Sequence, residues 1–335
     1  MPEKKKDIGT ATSTRGKKLL VAAVQMESVN DSIHTNLSRA AHFVEDAASL
    51  GARLILLPEF FSTGYSYTPD IWYSAETIDG PTVRWLKQRS SDLSVWIGGC
   101  FLEADGRHFY NTFVLTDPDG NVAGTVRKQT PASFENHFFR GVRNDHVIET
   151  DLGIVGVGIC YENQRSFTLK DLFSQKADIV LMPHSAPISS VGLFTPHGTV
   201  NRSIDDMKRL PAHYARALGV PVVYCNKRGI FSSRLPWTFG MRETSRFPGL
   251  SAIADSDGVV IEQMADGEGI IIGEVILDPS LKSKTPPKTG RIWIFRPYLL
   301  LFLIELTGCL GRIRYALSVR RKRLARRVSG LNKKG

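Results

Sequence analysis

The chain has 335 residues, 42% of them hydrophobic and 23% charged, a balance that supports one large or two ordinary folded domains and excludes a fibrous or wholly disordered polymer. Its formal charge of +10 is localised: ten of the 43 Lys and Arg lie between Arg312 and Gly335 with no Asp or Glu among them, and the remaining 33 match the 33 acidic residues. A neutral body with a cationic end argues against a nucleic-acid groove through the fold, and four dispersed cysteines without a CxxC pair argue against a disulfide framework or structural zinc and for a reducing compartment.

Residues 1–17 are basic and polar without the apolar stretch of a secretory signal, and are expected to form a disordered arm. From Lys18 the chain alternates apolar runs with amphipathic stretches. "KLLVAAVQM" reads as a buried strand, "NLSRAAHFVEDAASLGA" as a helix and "RLILLPEFF" as a strand entering a Pro-Glu turn. "PTVRWLKQRSSDLS" is then helical, and residues 95–128 divide into three strands at DG and DGN turns. "GIVGVGIC", "DIVLMPHSA" and "VPVVYCNKRG" read as strands separated by the helices "SFTLKDLFSQKA" and "DMKRLPAHYARALG", and residues 249–277 close the series with strands around a DSDG turn. Mixed β-α-β units with hairpins predict an α/β layered domain, residues 18–285, with mixed rather than purely parallel sheets.

Three apolar runs end in a polar group: Glu59 after "LILLP", Lys128 after "GTVR" and Cys160 after "GVGI". Groups projecting from buried strands are held rigidly enough for a cleft. A carboxylate can take a thiol proton, a thiolate can attack an acyl carbon, and an ammonium can meet the negative charge that develops on the substrate oxygen. A free thiol ionises near 8.5, so a neighbouring base or cation is needed for reactivity at neutral pH. Cys100, Cys225 and Cys309 lack the polar run that follows Cys160 and read as small buried hydrophobes. The histidines His137, His184, His197 and His213 have no metal-ligand spacing, so no metal is expected.

With "VAAVQM", "LILLPEFFSTGY", "FYNTFVLTDPDGNVAGTVRKQTP", "FENHFFRG", "VGVGICYENQRSF", "ADIVLMPHSAP", "ARALGVPVVYCNKRG" and "GLSAIADSDG" in order, the chain resembles the nitrilase, or carbon–nitrogen hydrolase, superfamily over residues 18–280. The resemblance implies an αββα sandwich, homodimers or larger oligomers with sandwiches back to back, and a Glu-Lys-Cys triad at Glu59, Lys128 and Cys160. It implies a second catalytic glutamate at Glu135, and a substrate and oxyanion wall at Tyr161, Glu162 and His184, with no cofactor. The substrate would be a small amide or nitrile. Tyr161-Glu162 after the nucleophile leans toward amides, while His184 and Pro187 in "MPHSAP" depart from the family's Pro-Ser-Ala-Trp-like segment and leave specificity open. Nitrile hydrolysis and acyl transfer stay as alternatives within the superfamily, and a degenerate scaffold as one outside enzymology.

The extension, residues 286–335, has no counterpart in that pattern. Its apolar run from Tyr298 to Ile304 is too short for a span that needs about 20 apolar residues. Leu299, Phe302, Leu303, Leu306, Leu310, Ile313 and Leu317 fall at helical spacing ahead of the Arg/Lys run, the pattern of an amphipathic anchor on an anionic membrane surface. This predicts a cytoplasmic protein held at the inner membrane face. The alternatives are a helix packed across a dimer and a tail that grips nucleic acid.

Overall fold

The computed structural model describes residues 16–188, 190–192, 195–236 and 241–330. Its elements are β1 (Lys17–Gln25), α1 (Ile33–Ser49), β2 (Leu54–Leu56), α2 (Pro81–Leu93), β3 (Trp96–Asp105), β4 (His108–Thr116), β5 (Val122–Arg127), β6 (Val147–Thr150), β7 (Gly153–Val157), α3 (Ser166–Ser174), β8 (Ile179–His184), α4 (His197–Leu218), β9 (Val222–Asn226), β10 (Arg228–Arg234), β11 (Arg242–Pro248), β12 (Ala252–Ala254), β13 (Val260–Gln263), β14 (Gly269–Leu277), α5 (Leu299–Leu317) and α6 (Val319–Val328). Most of the expected basic arm lies outside the described residues, and Lys17 already belongs to β1.

Two six-stranded sheets form, in the orders β14-β1-β2-β3-β4-β5 and β13-β12-β9-β8-β7-β6. Each has parallel central strands and antiparallel edges. The period-2 alternation of strand side chains explains the layering. In β1, Leu19, Val21 and Ala23 meet Val155, Val157, Leu181 and Val223 of the other sheet. The intervening Ala22 and Val24 face Leu37, Ala40 and Val44 of α1. The second sheet does the same, turning Val180, Met182 and Val222 outward onto Leu169 of α3 and Leu210 and Tyr214 of α4. Strands buried on both faces read as unbroken apolar runs, and the result is the expected αββα sandwich.

The local departures have physical causes. "RLILLPEFF" is a strand only over Leu54–Leu56, because Pro58 has no N–H to give a ladder. "GIVGVGIC" leaves the sheet after Val157, so Cys160 is not the last strand residue but the first of a 3-10 turn, Cys160–Gln164. The antiparallel hairpin β10–β11 arises from a largely polar segment with no apolar periodicity.

Where the sequence reading has one amphipathic helix and a polybasic end, the described part of the extension forms two helices docked on the domain. Helix α5 lies on the 3-10 turn Ser133–His137 and buries Leu301, Gly308, Gly311 and Tyr315. Helix α6 buries Ala325 and packs Leu324 and Val328 into the cluster that contains Trp72, Phe109 and Phe138. Among the described residues no helix is long and apolar enough to cross a membrane.

Candidate active site

Glu59, Lys128 and Glu135 converge in the interior, each at most 1% exposed. Lys128 follows β5, and its Nζ donates to Glu59 Oε1 at 2.7 Å and to Glu135 Oε2 at 2.9 Å. The seven-residue spacing from Lys128 to Glu135 closes because the chain turns back through Ser133–His137. Each carboxylate is held from the other side as well. Asn111 Nδ2 donates to Glu59 Oε1 at 2.6 Å and the Ser185 N–H to Oε2 at 2.8 Å. Tyr65 Oη donates to Glu135 Oε1 at 2.8 Å and the Ala132 N–H to Oε2 at 2.5 Å. Buried charges paired and hydrogen-bonded in this way hold one geometry, and removal of a partner leaves an uncompensated ion.

Cys160 is 6% exposed and sits at φ +54°, in the left-handed region that a non-glycine residue enters at a cost of about 1–3 kcal/mol. Two contacts hold the strained turn. Gly158 lies so close to Asn163 that an added Cβ would fall 1.8 Å from its Oδ1, and Asn163 Nδ2 donates to Gly158 O at 2.7 Å. Glu162 is fully buried; its Oε1 accepts from the Ile159 N–H at 2.7 Å and its Oε2 from the Gln129 N–H at 2.8 Å. It therefore ties the residue before the cysteine to the residue after the lysine.

The electrostatics assign resting protonation states. Burial raises the Cys160 thiol well above its ordinary value, Glu59 pushes it further, and Lys128 opposes both. The thiol is therefore neutral at rest. Burial works against the Lys128 ammonium, but Glu135 and Glu59 outweigh it and hold the group well above the usual lysine range. Burial raises Glu135, with Lys128 opposing. His184 is held well below its ordinary value by burial and then by Lys128, so its ring is neutral. Asn163 Nδ2 lies 2.9 Å from His184 Nε2.

A cavity of about 700 Å³ opens above the Lys128 cluster, with Cys160, Tyr161, His184, Tyr65 and Phe134 in its wall. Tyr161 and His184 border the cavity. Glu162 does not: among the residues expected at the substrate wall it lies behind it, with both oxygens committed to backbone donors. Sequence reasoning missed Asn111, Ser185 and Tyr65 as partners of the two glutamates, although each falls within a stretch that carried the resemblance. It also missed Glu305 of α5, which accepts from Tyr161 Oη at 2.8 Å and from the Arg165 guanidinium. The available signal was that Glu305 is the one acidic residue in residues 286–335.

The chain is similar to known proteins in sequence and in fold. A family model described as carbon-nitrogen hydrolase matches residues 20–279. An N-carbamoylputrescine amidase of Arabidopsis thaliana is 26% identical over 283 residues, covering 82% of this chain and 91% of the relative. A citrullinase of Francisella tularensis is 30% identical over 62% of this chain and 73% of its own length. The crystal structure of a carbon-nitrogen hydrolase from Helicobacter pylori superposes with a TM-score of 0.69 at 19% identity, covering 78% of this chain and 90% of that one. The last likeness shows the fold. The matched family region stops before α5 and α6.

Proposed function

The chain belongs to the carbon–nitrogen hydrolase family, and from that premise we propose that it hydrolyses an amide through a thioester on Cys160. The observation that carries the reading is Lys128 Nζ clamped between Glu59 at 2.7 Å and Glu135 at 2.9 Å beneath a cavity walled by Cys160.

Glu59 takes the thiol proton as sulfur attacks the amide carbon. The oxyanion meets the Lys128 ammonium and the Tyr161 backbone N–H, groups set in place before charge develops. Collapse of the tetrahedral adduct breaks the C–N bond, and the proton on Glu59 leaves with ammonia or the amine. Glu59 then deprotonates a water that attacks the thioester, and the departing sulfur recovers that proton. The sum is amide plus water giving acid plus amine. Glu135 keeps the lysine charged and aimed, and the neutral His184 shapes the wall without competing for the proton.

The names of the amidase and citrullinase relatives support an amide-type substrate. The reading is tested by measuring ammonia or amine release across an amide panel for wild type and Cys160→Ala, with intact-mass analysis of acid-quenched wild type. An acyl adduct on Cys160 and loss of turnover in the variant are expected. Equal release by the two proteins overturns the mechanism.

A further inference from the structure

Helix α5 presents three faces, and each does something different. Its buried face rests on residues 133–137 at glycine distance: an added Cβ at Gly311 would lie 2.8 Å from His137 Cδ2, and one at Gly308 3.0 Å from Asn136 Nδ2. Tyr315 Oη accepts from the Phe109 N–H at 2.9 Å, and Ser133 Oγ lies 2.9 Å from Thr307 Oγ1. These contacts fix the helix's rotation. One flank, with Leu300, Leu303, Ile304 and Thr307, is a wall of the cavity that holds Cys160. The outward side carries Leu299, Phe302, Leu306, Leu310, Ile313 and Leu317, 46% to 72% exposed.

At 100° per residue these six fall within an arc of about 80°, a single stripe about 27 Å long. Apolar surface of this extent on a helix that cannot rotate it inward marks an interaction face. The charge around it selects the occupant. From Arg312 to the end of the chain there are ten cations and no acid, and Arg312, Arg314, Arg320, Lys322 and Arg323 are exposed. In an antiparallel two-fold pairing through this stripe each cationic end would lie against the other copy's half of the extension, where the one acid, Glu305, is already taken by Arg165, and in a parallel pairing it would meet its own like. An anionic bilayer accepts both the stripe and the charge.

We propose that α5 and α6 seat the protein on an anionic membrane surface, and that the cavity receives amides carrying a long aliphatic chain from that surface. The juxtaposition that carries it is one helix whose outward stripe is apolar and whose flank walls the reaction cavity. The substrate part rests on the hydrolase reading above. The membrane part does not.

The test uses the full chain, wild type and Leu306→Glu/Leu310→Glu, two exposed positions outside the cavity wall. Flotation is measured with vesicles of phosphatidylcholine alone and with about one-third phosphatidylglycerol. Wild type is expected to float with the anionic vesicles, less so as salt is raised, and the double variant to lose at least about tenfold of that binding. In parallel, kcat/KM is measured for linear primary amides from butanamide to decanamide, and is expected to rise by about tenfold or more with chain length. Equal flotation of variant and wild type, or none by either, overturns the docking. Wild type that does not float but elutes as a dimer that the variant breaks assigns the stripe to a second copy and overturns it equally. A flat or falling chain-length profile in an active enzyme overturns the substrate class. Absence of all amide turnover alongside anionic flotation sinks the hydrolase reading and its substrate corollary while leaving the docking standing.

Discussion

Replacing Glu305 by alanine removes the carboxylate that reaches from α5 to Tyr161, the residue following Cys160. It accepts from Tyr161 Oη at 2.8 Å and pairs with Arg165, the two charged side chains being 33% and 18% exposed. A hydrogen bond to a charged group contributes about 1.5–3 kcal/mol when sheltered. Partial exposure screens the ion pair, and Tyr161 keeps the Trp293 indole N–H at 3.3 Å as a second partner, so a total near 2 kcal/mol is the reasonable figure. At about 1.4 kcal/mol per tenfold in rate, the full effect expressed at the site lowers kcat/KM by about 30-fold. Since α5 contributes only one wall, the loss should appear with the fold intact. The assay is kcat/KM on the best amide of the panel, beside a thermal melt expected to fall by only a few degrees. Glu305→Gln, which still offers Tyr161 an acceptor but gives Arg165 no charge, should lie between. Activity of Glu305→Ala within twofold of wild type would refute the argument that the extension positions the turn at Cys160.

Glu59→Gln removes both the base and the charge that raises the thiol, so amide turnover should vanish while iodoacetamide alkylation of Cys160 moves to lower pH; an unmoved alkylation profile contradicts the assignment. Gly158→Ala drives a methyl into Asn163 Oδ1 and should cost about 2–3 kcal/mol in chemical denaturation while loosening Cys160, whereas an unchanged midpoint shows that the turn yields. Lys227, buried with Nζ donating to Phe60 O at 2.8 Å, is lowered by burial from 10.5 to about 7. Below about pH 7 folded and unfolded chains both hold the proton and the cost of the buried ammonium is carried in full. Above it the folded chain releases the proton first and stability rises toward pH 10. Wild type should therefore gain stability relative to Lys227→Met between pH 6.5 and 9; parallel curves would show that the lysine does not titrate there.

Much of the fold was legible because strands covered on both faces must be apolar at every position, and "KLLVAAVQM" and "DIVLMPHSA" read so. Glu59 and Cys160 were legible for the complementary reason, that they follow such runs where continuation of the core would demand another apolar side chain, whereas Lys128 follows the largely exposed edge strand β5 and was legible through the resemblance. The β10–β11 hairpin was not, since its residues carry no alternation and their pairing is set by the sheets that flank them. Glu162 read as a wall residue because it stands two residues after Cys160, yet the turn points its carboxylate at the Ile159 and Gln129 amides.

What the sequence by itself determined is the chemical inventory and the local periodicities: strand faces, the carboxylate, ammonium and thiol, and a helix with an apolar stripe before a cationic end. What only the tertiary structure decided is direction. Leu303 shares the helical spacing of Leu299 and Leu306, but it walls the cavity while they face outward. The pairing of Glu59 with Lys128 and the reach of Glu305 to Tyr161 join residues distant in sequence. Periodicity is a property of neighbours along the chain, whereas the orientation of a face is set by whatever distant segment packs against it.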